Sequence, residues 1–363
     1  MSLLVLSAKD VDKVVSKFTP NDLVNLMAQV FGSFSSMESP SPLDLSLPHR
    51  LNVPTINHSA LFMPSRITPF GTAMKVVSVP TASAPPEIKQ KGLPGSTLLL
   101  DDETGAVKAI INASNLTALR NAAGSLLSAQ LLWRADSSTL QTIVAFGAGA
   151  QISAHLTLFL QFYPTITNCK VINRSINERV TLLIESLTVK FPNVKFESIA
   201  SSTAMDSNSN LKVIVQSANI IITATSSRTP LFPSDHVSPG THLCLIGSYT
   251  PEMHEIDTEL VNRGGIILVD SREACKIEAG EFIDAGVTKD DNKMVEIGEL
   301  VELKDPKDKK SSWSPVTSKI DEIKASGDVT IFKSVGVGIQ DVAIAYLVAE
   351  TAAATKVGTV IDL

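Results

Sequence analysis

The sequence predicts an α/β protein: a mostly parallel, doubly wound sheet joined to a second, discontinuous α/β domain. Three observations point there. Apolar runs of strand character alternate with helical stretches from residue 141 to residue 270, the grammar of right-handed βαβ crossovers. The first run, Gln141-Thr-Ile-Val-Ala-Phe146, ends in Gly147-Ala-Gly149 and passes directly into helix-compatible sequence. At 363 residues, 44% hydrophobic and 19% charged, the chain can fill two cores at about 150 residues per domain.

In chain order, a first region of mixed strand and helix character is interrupted by a Ser/Pro-rich stretch, Ser33 to Pro48, and by a loop, Thr81 to Gly95. Both read as surface connections. Strand-like runs occupy Ala73 to Val79, Ser96 to Leu100 and Ala106 to Ile111, with Asp101-Asp-Glu-Thr-Gly105 as the hairpin turn between the last two. Asn115 is placed to cap a helix through about Leu132, with Leu116, Leu119, Ala123, Leu126 and Leu127 on its apolar stripe. Strands of the alternating region are expected at Gln141 to Phe146, Lys170 to Asn173, Val194 to Ile199, Asn219 to Thr225, His242 to Ser248 and Gly265 to Asp270. The Lys-rich segment 304 to 311 is mixed in sign and reads as a solvated loop. Beyond it, Thr330 to Val335 and an Ala-rich helix, Gln340 to Ala354, are expected to pack back on the first region. The expected domains are therefore 1–125 with 325–363, and 126–324.

Composition removes several classes of function. A net charge of −6 without a long Lys/Arg run leaves no footprint for nucleic acid or anionic membrane. Cys169, Cys244 and Cys275 are far apart and odd in number, so neither a disulfide framework nor a zinc site is indicated, and Cys244 reads as core packing. His49, His58, His155, His236, His242 and His254 show no short ligand spacing, so no metal is expected. No Gly-x-Ser-x-Gly elbow is present. The start, Met1-Ser-Leu-Leu-Val-Leu-Ser7, is too short for a signal segment, and no run reaches about 18 apolar residues. Cytoplasmic residence is the expectation.

The Gly147-Ala-Gly149 turn reads as a dinucleotide-binding turn. Gly147 allows the bend, Gly149 lets the backbone approach a pyrophosphate, and the helix beyond offers amides and a positive dipole end. Ile152 stands where a third Gly or Ala belongs, so a plain strand-to-helix turn stays open on the motif alone. The alternating strands around it favour the cofactor. At the end of the second strand, a carboxylate would hold the ribose hydroxyls of NAD(H), whereas an Arg accommodates a 2′-phosphate. Here the strand ends Asn173-Arg174-Ser175, somewhat further from Gly147 than the usual distance of about 20 residues. NADP(H) is therefore favoured over NAD(H), with Arg174 pairing a phosphate and Asn173 and Ser175 donating further bonds.

Six segments in order carry a resemblance: Gly147-Ala-Gly-Ala-Gln151, Asn173-Arg-Ser175, Ile246-Gly-Ser-Tyr-Thr-Pro251, Val269-Asp-Ser-Arg-Glu-Ala274, Glu296-Ile-Gly-Glu-Leu300 and Ile331-Phe-Lys-Ser-Val-Gly336. Together they are similar to the ornithine cyclodeaminase/mu-crystallin family, over almost the whole chain. The resemblance implies a Rossmann dinucleotide domain, an α/β domain for substrate and dimerisation, a homodimer, and substrate bound between the domains. It also implies cofactor contacts at Thr97, Gly147, Gly149, Ala150, Gln151, Asn173, Arg174, Ser175, Thr225, Ile246 and Ser334. Arg50 in Leu47-Pro-His-Arg50, Lys75 beyond Met63-Pro64, and Arg120 in Thr117-Ala-Leu-Arg120 match the family's carboxylate-binding cations, with Val335 also against substrate. Two guanidinium forks suit a carboxylate, and an ammonium beside them can supply a proton or polarise a C=N bond.

Two departures bear on the reaction. Cyclodeaminases of this family place an Asp in a Gly-Gly-Asp-x-Pro segment, where this chain has Gly247-Ser-Tyr249-Thr-Pro251. A phenol of pKa about 10 is a poor base at neutral pH. The acidic residue such enzymes carry before the Met-Pro pair is replaced by Leu61-Phe62. Glu252, His254 and Glu255 follow closely, but the family pattern assigns them to the helix after the turn in structural roles. Asp341 reads as a helix N-terminal or supporting carboxylate rather than a base. The resemblance then implies hydride transfer between NADP(H) and an imine-bearing carboxylate, of ketimine or pyrroline/piperideine-2-carboxylate type. A cyclodeaminase-type lyase using NAD and releasing ammonia, and a non-enzymatic binding protein like mu-crystallin, are the alternatives.

Overall fold

The structure is a computed structural model that describes residues 2–37, 40–90, 92–133, 139–201 and 208–362. Positions 38 and 39 of the Ser/Pro-rich stretch, and position 91 of the second loop, lie outside the described residues. The chain forms two compact units, residues 1–120, 303–313 and 337–363, and residues 121–302 and 314–336.

The first unit is built on one mixed sheet. Its strand order is Thr359–Asp362, Ser2–Leu6, Val107–Asn112, Gly95–Leu100, Gly71–Pro80, His58–Ile67 and Leu45–Ser46, with Leu51–Pro54 also on His58–Ile67. Ser2–Leu6 and Val107–Asn112 run parallel; the other pairs are antiparallel. The turn 101–105 closes as the sequence predicts, with the Thr104 amide donating to the Asp101 side chain and Gly105 in the left-handed region. Ala8–Val15 and Pro20–Ser35 begin with capping boxes, Ser7 with Asp10 and Thr19 with Asp22, which satisfy first-turn amides. The long helix Gly338–Ala354 packs on the strands His58–Ile67, Gly71–Pro80, Gly95–Leu100 and Val107–Asn112.

Alternation decides which residues that helix covers. Leu6, Ile111, Thr97 and Lys75 form one cross-strand row and are buried. The next row, Val5, Ile110, Leu98, Met74 and Pro64, lies on the opposite face and is half-buried.

The second unit carries a sheet in the order Lys195–Ala200, Asn168–Asn173, Thr142–Phe146, Ile220–Thr223, His242–Leu245, Thr330–Lys333, Ile267–Val269 and Met294–Glu296. Its pairs are parallel. The order reverses at Thr142–Phe146, a topological switch point of the doubly wound fold. The inner strands Thr142–Phe146, Ile220–Thr223, His242–Leu245 and Ile267–Val269 are buried, mostly apolar runs, as parallel strands covered on both faces are, whereas the edge strand Lys195–Ala200 carries charges. His155 and His242 are fully buried among them, and burial pushes their pKa values down to about 4 and about 3. Ser125 and Ser128 bond one nitrogen of each ring, so both are core residues.

Three sequence expectations need correction. Thr330–Lys333 belongs not to the first unit but to the second sheet, as a central strand between His242–Leu245 and Ile267–Val269. Pro20–Ser35 extends into the Ser/Pro-rich stretch, because its Thr19 cap and Pro at N1 start the helix well before the breakers. Pro86–Gln90 is a short helix inside the Thr81–Gly95 loop. The 304–310 segment is largely exposed, as the sequence predicts, and it is tied down at its end, where Gln29 donates to the Ser311 carbonyl at 3.1 Å and Lys309 pairs with Glu350. Among the described residues, no helix is long and apolar enough to cross a membrane.

Candidate active site

In the first unit, three separate elements deliver three side chains to one buried spot. Lys75 lies mid-strand on Gly71–Pro80, where alternation turns it toward the helix face. Arg120 sits one turn into the helix Leu116–Leu132, and Asp341 in the first turn of Gly338–Ala354. Lys75 Nζ donates to Asp341 Oδ2 at 2.8 Å, and Arg120 Nε to Asp341 Oδ1 at 3.3 Å. The side chains of Lys75, Arg120 and Asp341 are 4%, 3% and 5% exposed, so water does little to screen these charges. Gln340 Oε1 accepts from Arg120 Nη1 at 2.7 Å, and Thr117 Oγ1 stands 3.4 Å from Lys75 Nζ.

Burial pushes the Lys75 ammonium below its ordinary pKa; Asp341 opposes the shift, and the Arg120 and Arg50 charges add to it. For Asp341, burial acts to raise the pKa, but Arg120 and Lys75 outweigh it and hold the carboxyl below the usual value. Half-buried Arg50 is thus close enough for its charge to be felt at Lys75. Thr97, expected among cofactor contacts, is buried directly opposite Lys75 in the register of the first unit. Asp341 and Gln340 organise this site: Asp341 stands in the first turn of its helix as the supporting carboxylate that the sequence suggests, whereas Gln340 is not assigned to the site from sequence.

In the second unit, Gly147 has φ 108°, and a Cβ there would lie 2.8 Å from the Ala224 carbonyl oxygen. Only glycine closes this turn without displacing backbone. Gly149 is the N-cap of Ala150–Phe162 with no side-chain cap, and a Cβ added to it would meet nothing within 4 Å. Open space, first-turn amides without a side-chain cap and the helix dipole fit a pyrophosphate. Gln151 Oε1 is buried with no hydrogen-bond partner among the described residues, which also fits a polar ligand beside it. Asn173 ends the adjacent strand and donates to the Ser175 carbonyl at 2.8 Å, leaving exposed Arg174 at the crest of the bend.

The ends of three further strands are held by buried carboxylates. Glu255 accepts from Thr223 Oγ1, both the amide and hydroxyl of Thr225, and the Gly247 amide, all at 2.7–2.8 Å. It precedes the helix Thr258–Arg263 instead of lying in it, which corrects the placement expected for residues 252 to 255. Asp270 Oδ2 accepts from Ser334 Oγ and the Gly336 amide at 2.7 Å, fixing the segment that holds Ser334 and Val335. Below it, Lys333 Nζ pairs with Glu281 at 2.9 Å, both fully buried. Ile246 is buried, and Tyr249, in the slot where cyclodeaminases carry Asp, is 41% exposed. Asp270, Glu255 and the Lys333–Glu281 pair were not assigned to this region from sequence, since each acts on partners distant along the chain.

The sequence profile of the ornithine cyclodeaminase/mu-crystallin family matches residues 10–356. A Δ1-pyrroline-2-carboxylate reductase of Colwellia psychrerythraea is 32% identical over 274 residues, covering 73% of this chain and 77% of the relative. A protein named as a cyclodeaminase in Dictyostelium discoideum is 29% identical over 388 residues, covering 99% and 100% of the two chains. Among solved structures, the Thermococcus litoralis Δ1-pyrroline-2-carboxylate reductase in complex with NADH and L-proline matches with a TM-score of 0.75 at 24% identity. It covers 98% of this chain and 99% of its own.

Proposed function

The chain belongs to the ornithine cyclodeaminase/mu-crystallin family, and from that premise we propose that it is an NADP(H)-dependent reductase of cyclic imino acids. The substrates are of the pyrroline- or piperideine-2-carboxylate type. The observation that carries this reading is the buried cluster in which Lys75 feels the charges of Arg50 and Arg120, with Tyr249 where a lyase would hold a base. On this reading the first unit, residues 1–120, 303–313 and 337–363, is the substrate and dimerisation domain, and the second unit, residues 121–302 and 314–336, the dinucleotide domain.

A bound reduced nicotinamide supplies the hydride. Gly147, Gly149, Ala150 and Gln151 would hold its pyrophosphate, Arg174 with Asn173 and Ser175 its 2′-phosphate, and Thr225, Ile246 and Ser334 its nicotinamide half. NAD(H) is the alternative cofactor, because backbone contacts to the pyrophosphate do not distinguish the two. Arg50 and Arg120 orient the substrate carboxylate, with Val335 against the ring. Lys75 is the group placed to deliver a proton to the ring nitrogen of the imine. It is then reprotonated from solvent.

The half-buried apolar row Val5, Ile110, Leu98, Met74 and Pro64 supports a homodimer formed through the first unit. A cyclodeaminase relative keeps the lyase reading in the test. The assay is NADPH oxidation with Δ1-pyrroline-2-carboxylate and Δ1-piperideine-2-carboxylate. Turnover is expected, and Arg50→Ala should raise KM at least about tenfold, since a charge-assisted hydrogen bond is worth about 1.5–3 kcal/mol. Inertness toward both imines and a wider imine panel overturns the reading. Ammonia release from ornithine with NAD would put the lyase in its place, and tight NADPH binding without turnover the binding protein.

A further inference from the structure

We propose that Asp341 is a positioning residue that sets the proton-donating state of Lys75 and fixes Arg120 in the same stroke. The inference rests on the reductase reading for its role in turnover, but its geometric basis is independent. One carboxylate bridges two cations from different elements, Oδ2 to Lys75 Nζ at 2.8 Å and Oδ1 to Arg120 Nε at 3.3 Å. All three side chains are about 95% buried or more. A surface ion pair of this kind would matter little; a buried bridge determines both where its partners sit and which protonation state they hold.

The charge balance explains why such a bridge is needed. Arg50, Lys75 and Arg120 bring three positive charges toward one site, and burial first, then the repulsion of Arg120 and Arg50, works against keeping Lys75 protonated. Without Asp341 the Lys75 ammonium would lose the opposite charge that holds its pKa up. Asp341 restores the ammonium while leaving a net excess of two positive charges for a substrate carboxylate. Gln340, its neighbour, accepts from Arg120 Nη1 and also from the Val337 amide, tying the guanidinium to the start of the helix. The charged and titratable groups recorded as acting on Lys75 are Asp341, Arg120 and Arg50, and Thr117 adds a neutral contact at 3.4 Å.

Turnover requires protonated Lys75, so kcat/KM falls as pH rises through the Lys75 pKa. Asp341 holds that pKa up; Asp341→Asn therefore moves the alkaline limb to lower pH. The expected displacement is at least about one unit, the usual effect of an opposite charge within about 4–6 Å. Asp341→Glu keeps the charge and should restore the limb while leaving kcat reduced, because the longer arm displaces both cations. A carboxylate that merely supports folding would lower stability without moving the limb.

The closing experiment reads Lys75 directly. Competitive acetylation by acetic anhydride, quantified on the Lys75 peptide by mass spectrometry across pH, gives its titration in wild type, Asp341→Asn and Asp341→Glu, with circular dichroism confirming folding. A lower Lys75 midpoint in Asp341→Asn with recovery in Asp341→Glu supports the proposal. An unchanged midpoint in folded Asp341→Asn overturns it. Should Asp341→Asn fail to fold, Asp341→Glu alone decides, since it is expected to keep the wild-type midpoint, and a lowered one overturns the proposal. This readout needs no turnover, so failure of the reductase reading in the imine assay is seen separately. The pH profile with Δ1-pyrroline-2-carboxylate then tests whether the same shift governs catalysis.

Discussion

Arg174 is exposed at the end of Asn168–Asn173, where a carboxylate would discriminate in favour of a free ribose. Its exposure means that it contributes little to folding, so its removal isolates cofactor choice. Arg174→Ala is expected to weaken NADPH binding roughly ten- to hundredfold, the worth of a charge-assisted bond of about 1.5–3 kcal/mol, and to leave NADH within about twofold. Fluorescence titration of the two reduced cofactors measures this, and equal losses for both would remove the role given to Arg174. Residues of this kind are legible in a sequence because their chemistry is local: a turn glycine and a strand-end cation declare themselves by what surrounds them. Gly147 is the clearest case, since its positive φ is a consequence of a bend that the adjacent apolar strand and helix already demand. Asp341 is the opposite case. Its partners lie 266 and 221 positions away, and nothing near it in the chain distinguishes it from any acidic residue in a first helical turn.

The strand ends of the second unit show how elements are tied together where a cofactor would bind. Glu255 is fully buried, yet it gathers donors from the end of Ile220–Thr223, from Thr225 and from Gly247 beyond His242–Leu245. Burial raises its pKa, while Lys333 and the hydrogen bonds act the other way. Glu255→Ala would leave several buried donors without an acceptor, at about 3–5 kcal/mol, whereas Glu255→Gln retains part of the bonding. The thermal midpoint should therefore fall by roughly 6–15 °C in Glu255→Ala and clearly less in Glu255→Gln. Equal falls in the two variants would show that the charge, not the bonding pattern, is what the site requires. At this scale the alternation of strands and helices was readable, since buried parallel strands are short apolar runs separated by amphipathic helices. Membership of a strand in a particular sheet was not. Thr330–Lys333 is four residues of generic strand character, and only its docking between His242–Leu245 and Ile267–Val269 assigns it to the second sheet.

For the whole molecule, the first unit's sheet presents two faces of different fate. One is covered by the helix Gly338–Ala354, and its rows from Leu6 to Lys75 are buried. The other carries Val5, Ile110, Leu98, Met74 and Pro64 as a continuous apolar row that remains half-buried. An antiparallel sheet with a solvated face normally alternates apolar with polar residues, so an apolar row on that face calls for a partner surface. Exposed Leu51, Val53 and Ile56, on and beyond the strand Leu51–Pro54, extend the apolar character of this unit. A second copy of the chain is the partner proposed, because a self-complementary patch closes with two-fold symmetry and leaves no exposed remainder. Light scattering is expected to give the mass of two chains at micromolar concentration. Leu98→Glu, at the centre of the row, should shift the equilibrium to monomer by at least about tenfold in Kd, as burying an unpaired carboxylate in an apolar interface costs well above 1.4 kcal/mol. A monomeric wild type would reject the dimer. A dimeric Leu98→Glu would place the interface on some other surface.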